Sequence, residues 1–100
     1  MYQDIFPEEI KQWKQKGVTF VDVREPWEYT QGHLPETKNI PMGELPNRLK
    51  EIPDLFVLVC ASGNRSGQVA LYLGDHGYTQ VTNLMGGTYG WQQRGLPIEK

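Results

Sequence analysis

A single cysteine, Cys60, leaves no partner for an internal disulfide, so no covalent staple holds this fold. That sparing use suits a reducing compartment, and a cytoplasmic location is expected. Runs of lysine or arginine are also missing. Ten basic residues face twelve acidic ones, for a net charge of −2. That balance argues against a nucleic-acid partner held by a basic surface. No apolar stretch approaches the ~20 residues of a membrane span, so no membrane partner is expected. The N-terminus, Met1 to Glu9, lacks the basic start and apolar stretch of a signal peptide. His33, His76 and Cys60 lie far apart and make no metal-ligand pattern, so no metal is expected. There is no low-complexity segment and no repeat of solenoid length.

What is present is an ordinary globular balance: 38% hydrophobic and 22% charged residues in a chain of 100. The length suits one domain over residues 1–100. Helix-like and strand-like segments alternate between glycines and prolines, which predicts an α/β fold with a mainly parallel sheet. Strands are expected at Gln3–Ile5, Val18–Val23, Lys38–Pro41, Leu55–Val59 and Val81–Leu84. Pro7 opens a first helix that Gly17 closes, with Ile10 and Trp13 facing the core; Phe6 is a poor N-cap there. A short helix follows at 25–29, with Pro26 in its first turn. Leu45, Leu49 and Ile52 have the spacing of a helix stripe, stopped by Pro53. A longer helix is expected from Ser66 to His76, burying Val69, Ala70 and Leu73. A last helix is expected at Tyr89–Arg94.

Leu55-Phe56-Val57-Leu58-Val59 is the strongest strand signal, a continuous apolar run suited to a central strand covered on both faces. Cys60 stands at its C-terminal end, where ligands bind in open parallel sheets. Ala61-Ser62-Gly63-Asn64-Arg65 then makes a tight loop into the next helix. The loop's N–H groups can converge on the sulfur as an anion-binding nest. The helix N-terminus and Arg65 add positive charge. All three favour thiolate over a thiol whose free pKa is ~8.5. Gly63 suits a curling loop that needs positive φ. The competing reading is a lone buried cysteine acting as a small hydrophobe; loop composition and the helix behind it favour the nucleophile.

Cys60-Ala61-Ser62-Gly63-Asn64-Arg65-Ser66 resembles the C-x-x-G-x-R-S active-site loop of rhodanese-homology domains. Asp22 to Tyr29, then Gly32-His33-Leu34-Pro35 and Asn39-Ile40-Pro41, is similar to the first signature of that family. Leu84-Met85-Gly86-Gly87, then Trp91, Gly95 and Pro97, is similar to its C-terminal signature. The resemblance covers nearly the whole chain in the family's order. It implies a five-stranded, mainly parallel sheet with helices on both faces. It further implies a sulfurtransferase in which Cys60 accepts sulfur from thiosulfate or another persulfide donor and passes it, as a persulfide, to cyanide or a thiol. The backbone of Ala61, Ser62, Gly63, Asn64, Arg65 and Ser66 would stabilise that persulfide, and the Arg65 side chain would help attract an anionic donor. No cofactor is implied. The partners implied are a small sulfur donor and a thiol acceptor, which a partner protein can supply.

Two rival functions remain. Cysteine-dependent phosphatases and arsenate reductases use C-x5-R, with the arginine six residues after the cysteine. Here Ser66 holds that place, and Arg65 comes one residue earlier. The other rival is a non-catalytic binding or regulatory module of the same fold. Asp22 and Arg24, at a strand end, read either as substrate contacts or as a structural ion pair that fixes the loop, and the second is preferred. His33 reads as a hydrogen-bonded turn histidine, and His76 as a helix C-terminal one. Gly86-Gly87 either brings backbone close to the cysteine loop, placing Met85 or its neighbours in the pocket wall, or makes a plain turn. Trp13, Trp27 and Trp91 are expected in the core or half-buried.

Overall fold

A computed structural model describes residues 2–100. Five short strands pair in one sheet: β1 (Gln3–Ile5), β2 (Thr19–Asp22), β3 (Thr37–Asn39), β4 (Phe56–Val59) and β5 (Thr82–Leu84), in the order β1-β5-β4-β2-β3. Every pairing between these strands is parallel. Among the described residues, a single antiparallel bridge, His33 to Glu99, lies outside them. The four α-helices are α1 (Ile10–Gln15), α2 (Pro26–Thr30), α3 (Asn64–Asp75) and α4 (Gly87–Gln93).

The apolar run around β4 divides by strand alternation into two cores. Phe56, Leu58 and Cys60 join Val69, Ala70 and Leu73 of α3 on one face. Val57 and Val59 join Ile10 of α1 and Trp91 of α4 on the other. Val57, Leu58 and Val59 are 0% exposed. Complete burial of a side chain of this size is worth about 1.5–3 kcal/mol. Helices therefore cover both faces of the central strand, as expected, and β4 is the best-anchored place in the sheet from which to launch a loop. Because the strands run parallel, all their C-terminal ends open on one edge.

Several expectations needed correction. The 45–52 stripe is two 3-10 turns, Leu45–Asn47 and Leu49–Glu51, and no α-helix. Pro46 in the first turn supplies no N–H. Arg48, at φ −127° and ψ 23°, then breaks the helical path between the turns. Its guanidinium reaches back to Glu44 and forward to Glu51, fixing both. Pro7 opens a 3-10 turn, Pro7–Glu9, ahead of α1. Phe6 serves there because Glu9 Oε2 accepts its backbone N–H at 2.9 Å. Trp27 is 63% exposed, against expectation, because α2 buries none of its own residues. Trp91 is buried and donates Nε1–H to the Pro97 carbonyl at 2.7 Å. Leu55 is exposed, so the buried strand begins one residue later.

Candidate active site

The backbone leaves β4 at Cys60, which is 1% exposed. It curls through Ala61, Ser62 and Gly63 and enters α3 at Asn64. The loop is two residues shorter than the sequence suggests, since Asn64 and Arg65 already belong to the helix. Gly63 makes that curl possible at φ +103°, a conformation other residues adopt only with strain. Its amide then points back at the sulfur, with Gly63 N 3.1 Å from Cys60 Sγ. Ser66 Oγ lies 3.3 Å from the same sulfur.

Burial alone pushes the Cys60 thiol up, because charge is costly away from water. The Ser66 hydroxyl and the backbone N–H groups of Ser66, Gly63 and Ser62 oppose it, and together they carry the thiol below its ordinary value. Donors in the loop are therefore aimed at the sulfur and favour its ionised form.

Ser66 is fully buried and has one proton for two acceptors, Cys60 Sγ and Asn83 Oδ1. Asp4 Oδ1 accepts from Asn83 Nδ2 at 3.0 Å, which turns the amide oxygen toward Ser66. Asn83 is thus part of the site, although the sequence reading passed over it. The available signal was an asparagine inside a strand, where that residue is depleted.

The segment after β5 closes on the cysteine loop from the other side. Thr88 N–H donates to the Cys60 carbonyl at 2.8 Å, and Tyr89 N–H to the Ala61 carbonyl at 3.0 Å. A side chain at Gly87 would put its Cβ 2.7 Å from the Ala61 carbonyl oxygen. The close-approach reading of Gly86-Gly87 is therefore the one the structure shows. Met85 is 41% exposed, and its amide bonds the Ile5 carbonyl at 2.8 Å.

Asp22 and Arg24 form a buried ion pair, 0% and 5% exposed. Arg24 Nη2 donates to Asp22 Oδ2 at 2.8 Å and to the Gly32 carbonyl at 2.8 Å. Nε and Nη2 of Arg24 and both carboxylate oxygens of Asp22 are spent on the fold, which is the structural reading. Arg65 stands at the rim of the loop, but its two terminal nitrogens go to the carboxylate of Glu28, at 2.7 and 2.8 Å. Glu28 is the second residue the sequence reading missed. The guanidinium fork beside it holds its carboxyl down to about 2. His33 Nδ1 lies 2.8 Å from the Tyr29 carbonyl, and its ring stacks on Tyr29 at 3.8 Å. His76 Nδ1 lies 2.8 Å from the Tyr72 carbonyl. Both histidines serve the fold as expected. No helix of the described residues is long and apolar enough to cross a membrane.

A parallel sheet with a cysteine loop on its central strand narrows the class, and comparison with known proteins settles it. Residues 6–94 match the model of the rhodanese-like domain. The chain is 45% identical over 85 residues to a sulfurtransferase of Allochromatium vinosum, covering 83% of this chain and 79% of that one. It is 29% identical over 93 residues to the thiosulfate sulfurtransferase GlpE of Pseudomonas aeruginosa, covering 91% and 84%. The crystal structure of a rhodanese-related protein from Thermoplasma volcanium superposes with a TM-score of 0.87 at 29% identity, over 98% of both chains. The chain belongs to the rhodanese-like domain family of sulfurtransferases.

Proposed function

We propose that the protein transfers sulfane sulfur through a persulfide on Cys60. The Cys60 thiolate attacks the outer sulfur of a donor. With thiosulfate, a bond forms between Sγ and that sulfur, the donor S–S bond breaks, and sulfite leaves with the electron pair. The terminal sulfur of the persulfide carries the negative charge. An acceptor then attacks it: a thiolate departs as a new persulfide, or cyanide as thiocyanate, and the Cys60 thiolate returns. With no second cysteine in the chain, the acceptor comes from outside. The chain as a whole, residues 1–100, acts as one such unit.

The observation that carries this reading is the set of donors on Sγ, Gly63 N–H at 3.1 Å and Ser66 Oγ at 3.3 Å. A preformed thiolate needs no separate base. The phosphatase alternative requires an arginine free to fork onto phosphate. Arg65 gives its fork to Glu28 instead. Incubation with thiosulfate followed by intact-mass measurement tests the proposal. Gain of one sulfur atom, discharged by cyanide or a thiol, is expected. An unchanged mass with thiosulfate and with organic persulfides would leave only a binding role for this fold.

A further inference from the structure

Two arginines flank the cysteine loop, and each is matched by a carboxylate. Arg24 is bound by Asp22 at the end of β2. Arg65, in the first turn of α3, is bound by Glu28 from α2 through two parallel bonds. The pairs also feel each other: Arg24 lowers the Glu28 carboxyl, and Asp22 strengthens the hold of Arg65 on its proton. Two guanidinium groups and two carboxylates sum to zero beside the sulfur. The loop's backbone dipoles and one hydroxyl supply the hydrogen bonds to the sulfur, while Arg65, which feels the Cys60 charge, has its fork spent on Glu28. Such a set is matched to a single charge and gives little help to a dianion that must approach a thiolate.

We propose that Glu28 is a specificity-determining positioning residue: by occupying the Arg65 fork it keeps the mouth of the loop electrically neutral and favours organic persulfides over dianionic donors such as thiosulfate. The inference rests on the reading of Cys60 as a sulfur-accepting thiolate. In the favoured reaction the outer sulfur of R–S–S⁻ bonds to Sγ, the donor S–S bond breaks, and R–S⁻ leaves with the electron pair. Release of the fork exposes one positive charge at the rim. That charge acts on an attacking reagent in proportion to the reagent's own charge, and salt screens it.

The test is a series of reagents of rising charge on Cys60: neutral iodoacetamide, singly charged iodoacetate and doubly charged thiosulfate. In Glu28→Gln the iodoacetate-to-iodoacetamide rate ratio should rise about threefold and the thiosulfate-to-iodoacetamide ratio about tenfold at low salt, and both gains should shrink as salt is added. Arg65→Gln should move both ratios the opposite way. The double variant should bring them back to those of the native protein, which a merely structural role would not do. Equal slowing with all three reagents in Glu28→Gln, or a double variant that stays at either single-variant ratio, would overturn the proposal. Alkylation reads the thiolate without sulfur transfer. A correct alkylation pattern with no sulfur loading from any donor would therefore sink the sulfur-transfer reading and leave the electrostatic role of Glu28 intact.

Discussion

The segments after β4 and β5 are built alike and used differently. Each leaves a buried strand, passes a glycine in the left-handed region, Gly63 or Gly86, and starts a helix. After β4, the amides at the turn aim at a side chain, the Cys60 sulfur. After β5, the amides of Thr88 and Tyr89 aim at the backbone of the first loop. One turn is a cradle for charge, and the other is a clamp that holds the cradle in shape. The same local chemistry, a helix start rich in unpaired N–H groups, becomes a site or a support according to what the neighbouring strand places in front of it.

Replacing the group in the cradle gives the largest effect. Cys60→Ser should abolish sulfur loading, read as the intact mass after exposure to thiosulfate or an organic persulfide. Loading at the native rate would move the nucleophile elsewhere and end the distinction between the two turns. Breaking the clamp comes next. Gly87→Ala forces a Cβ against the Ala61 carbonyl at 2.7 Å and a side chain into φ +58°. A loss of about 3 kcal/mol in denaturant unfolding is expected. Native stability in that variant would show that the two loops are not pressed together.

Ser66→Ala weakens the cradle without touching the clamp. The thiol lies below its ordinary value, so the alkylation rate should rise with pH to a plateau reached below the usual thiol range. Loss of the hydroxyl donor should move that midpoint upward and slow alkylation roughly three- to tenfold on its acid side. An unmoved midpoint would give the backbone amides the whole effect.

The smallest effect concerns the rim. Folded Glu28 stays ionised down to about 2, against an ordinary 4.5. Between those values the unfolded chain binds a proton that the folded one refuses, so this group's stability is full above 4.5 and falls away as pH drops toward about 2. Because Arg65 is about a third exposed, solvent screening leaves about 1 kcal/mol. Glu28→Gln should flatten that part of the acid-unfolding curve, measured by circular dichroism. An identical acid slope would mean the pair contributes nothing to the fold.

Much of this was legible before the structure. The strand at 56–59, the helix behind it and the cysteine between them follow from apolar continuity, a glycine and a change of period, all local properties of the chain. The spacing of Leu45, Leu49 and Ile52 points to a helix, but Pro46 and the non-helical Arg48 split the segment into two 3-10 turns. Glu28 and Asn83 were missed for a different reason. They are 37 and 17 positions from the residues they hold. A single sequence gives no measure of such pairings, although an asparagine in a buried strand and a carboxylate at the helix start after β2 were both visible.

Taken alone, the sequence determined the class of fold, the place of the cysteine at the end of the central strand and the conformational freedom at Gly63, because each depends on a short stretch of chain. Only the tertiary structure decided where the charges went. Arg65 looked like a lure for anions, and it is the partner of a glutamate from another helix. The reason is physical: backbone preference acts over a few residues, whereas the energy of a charge depends on every group within its reach in space.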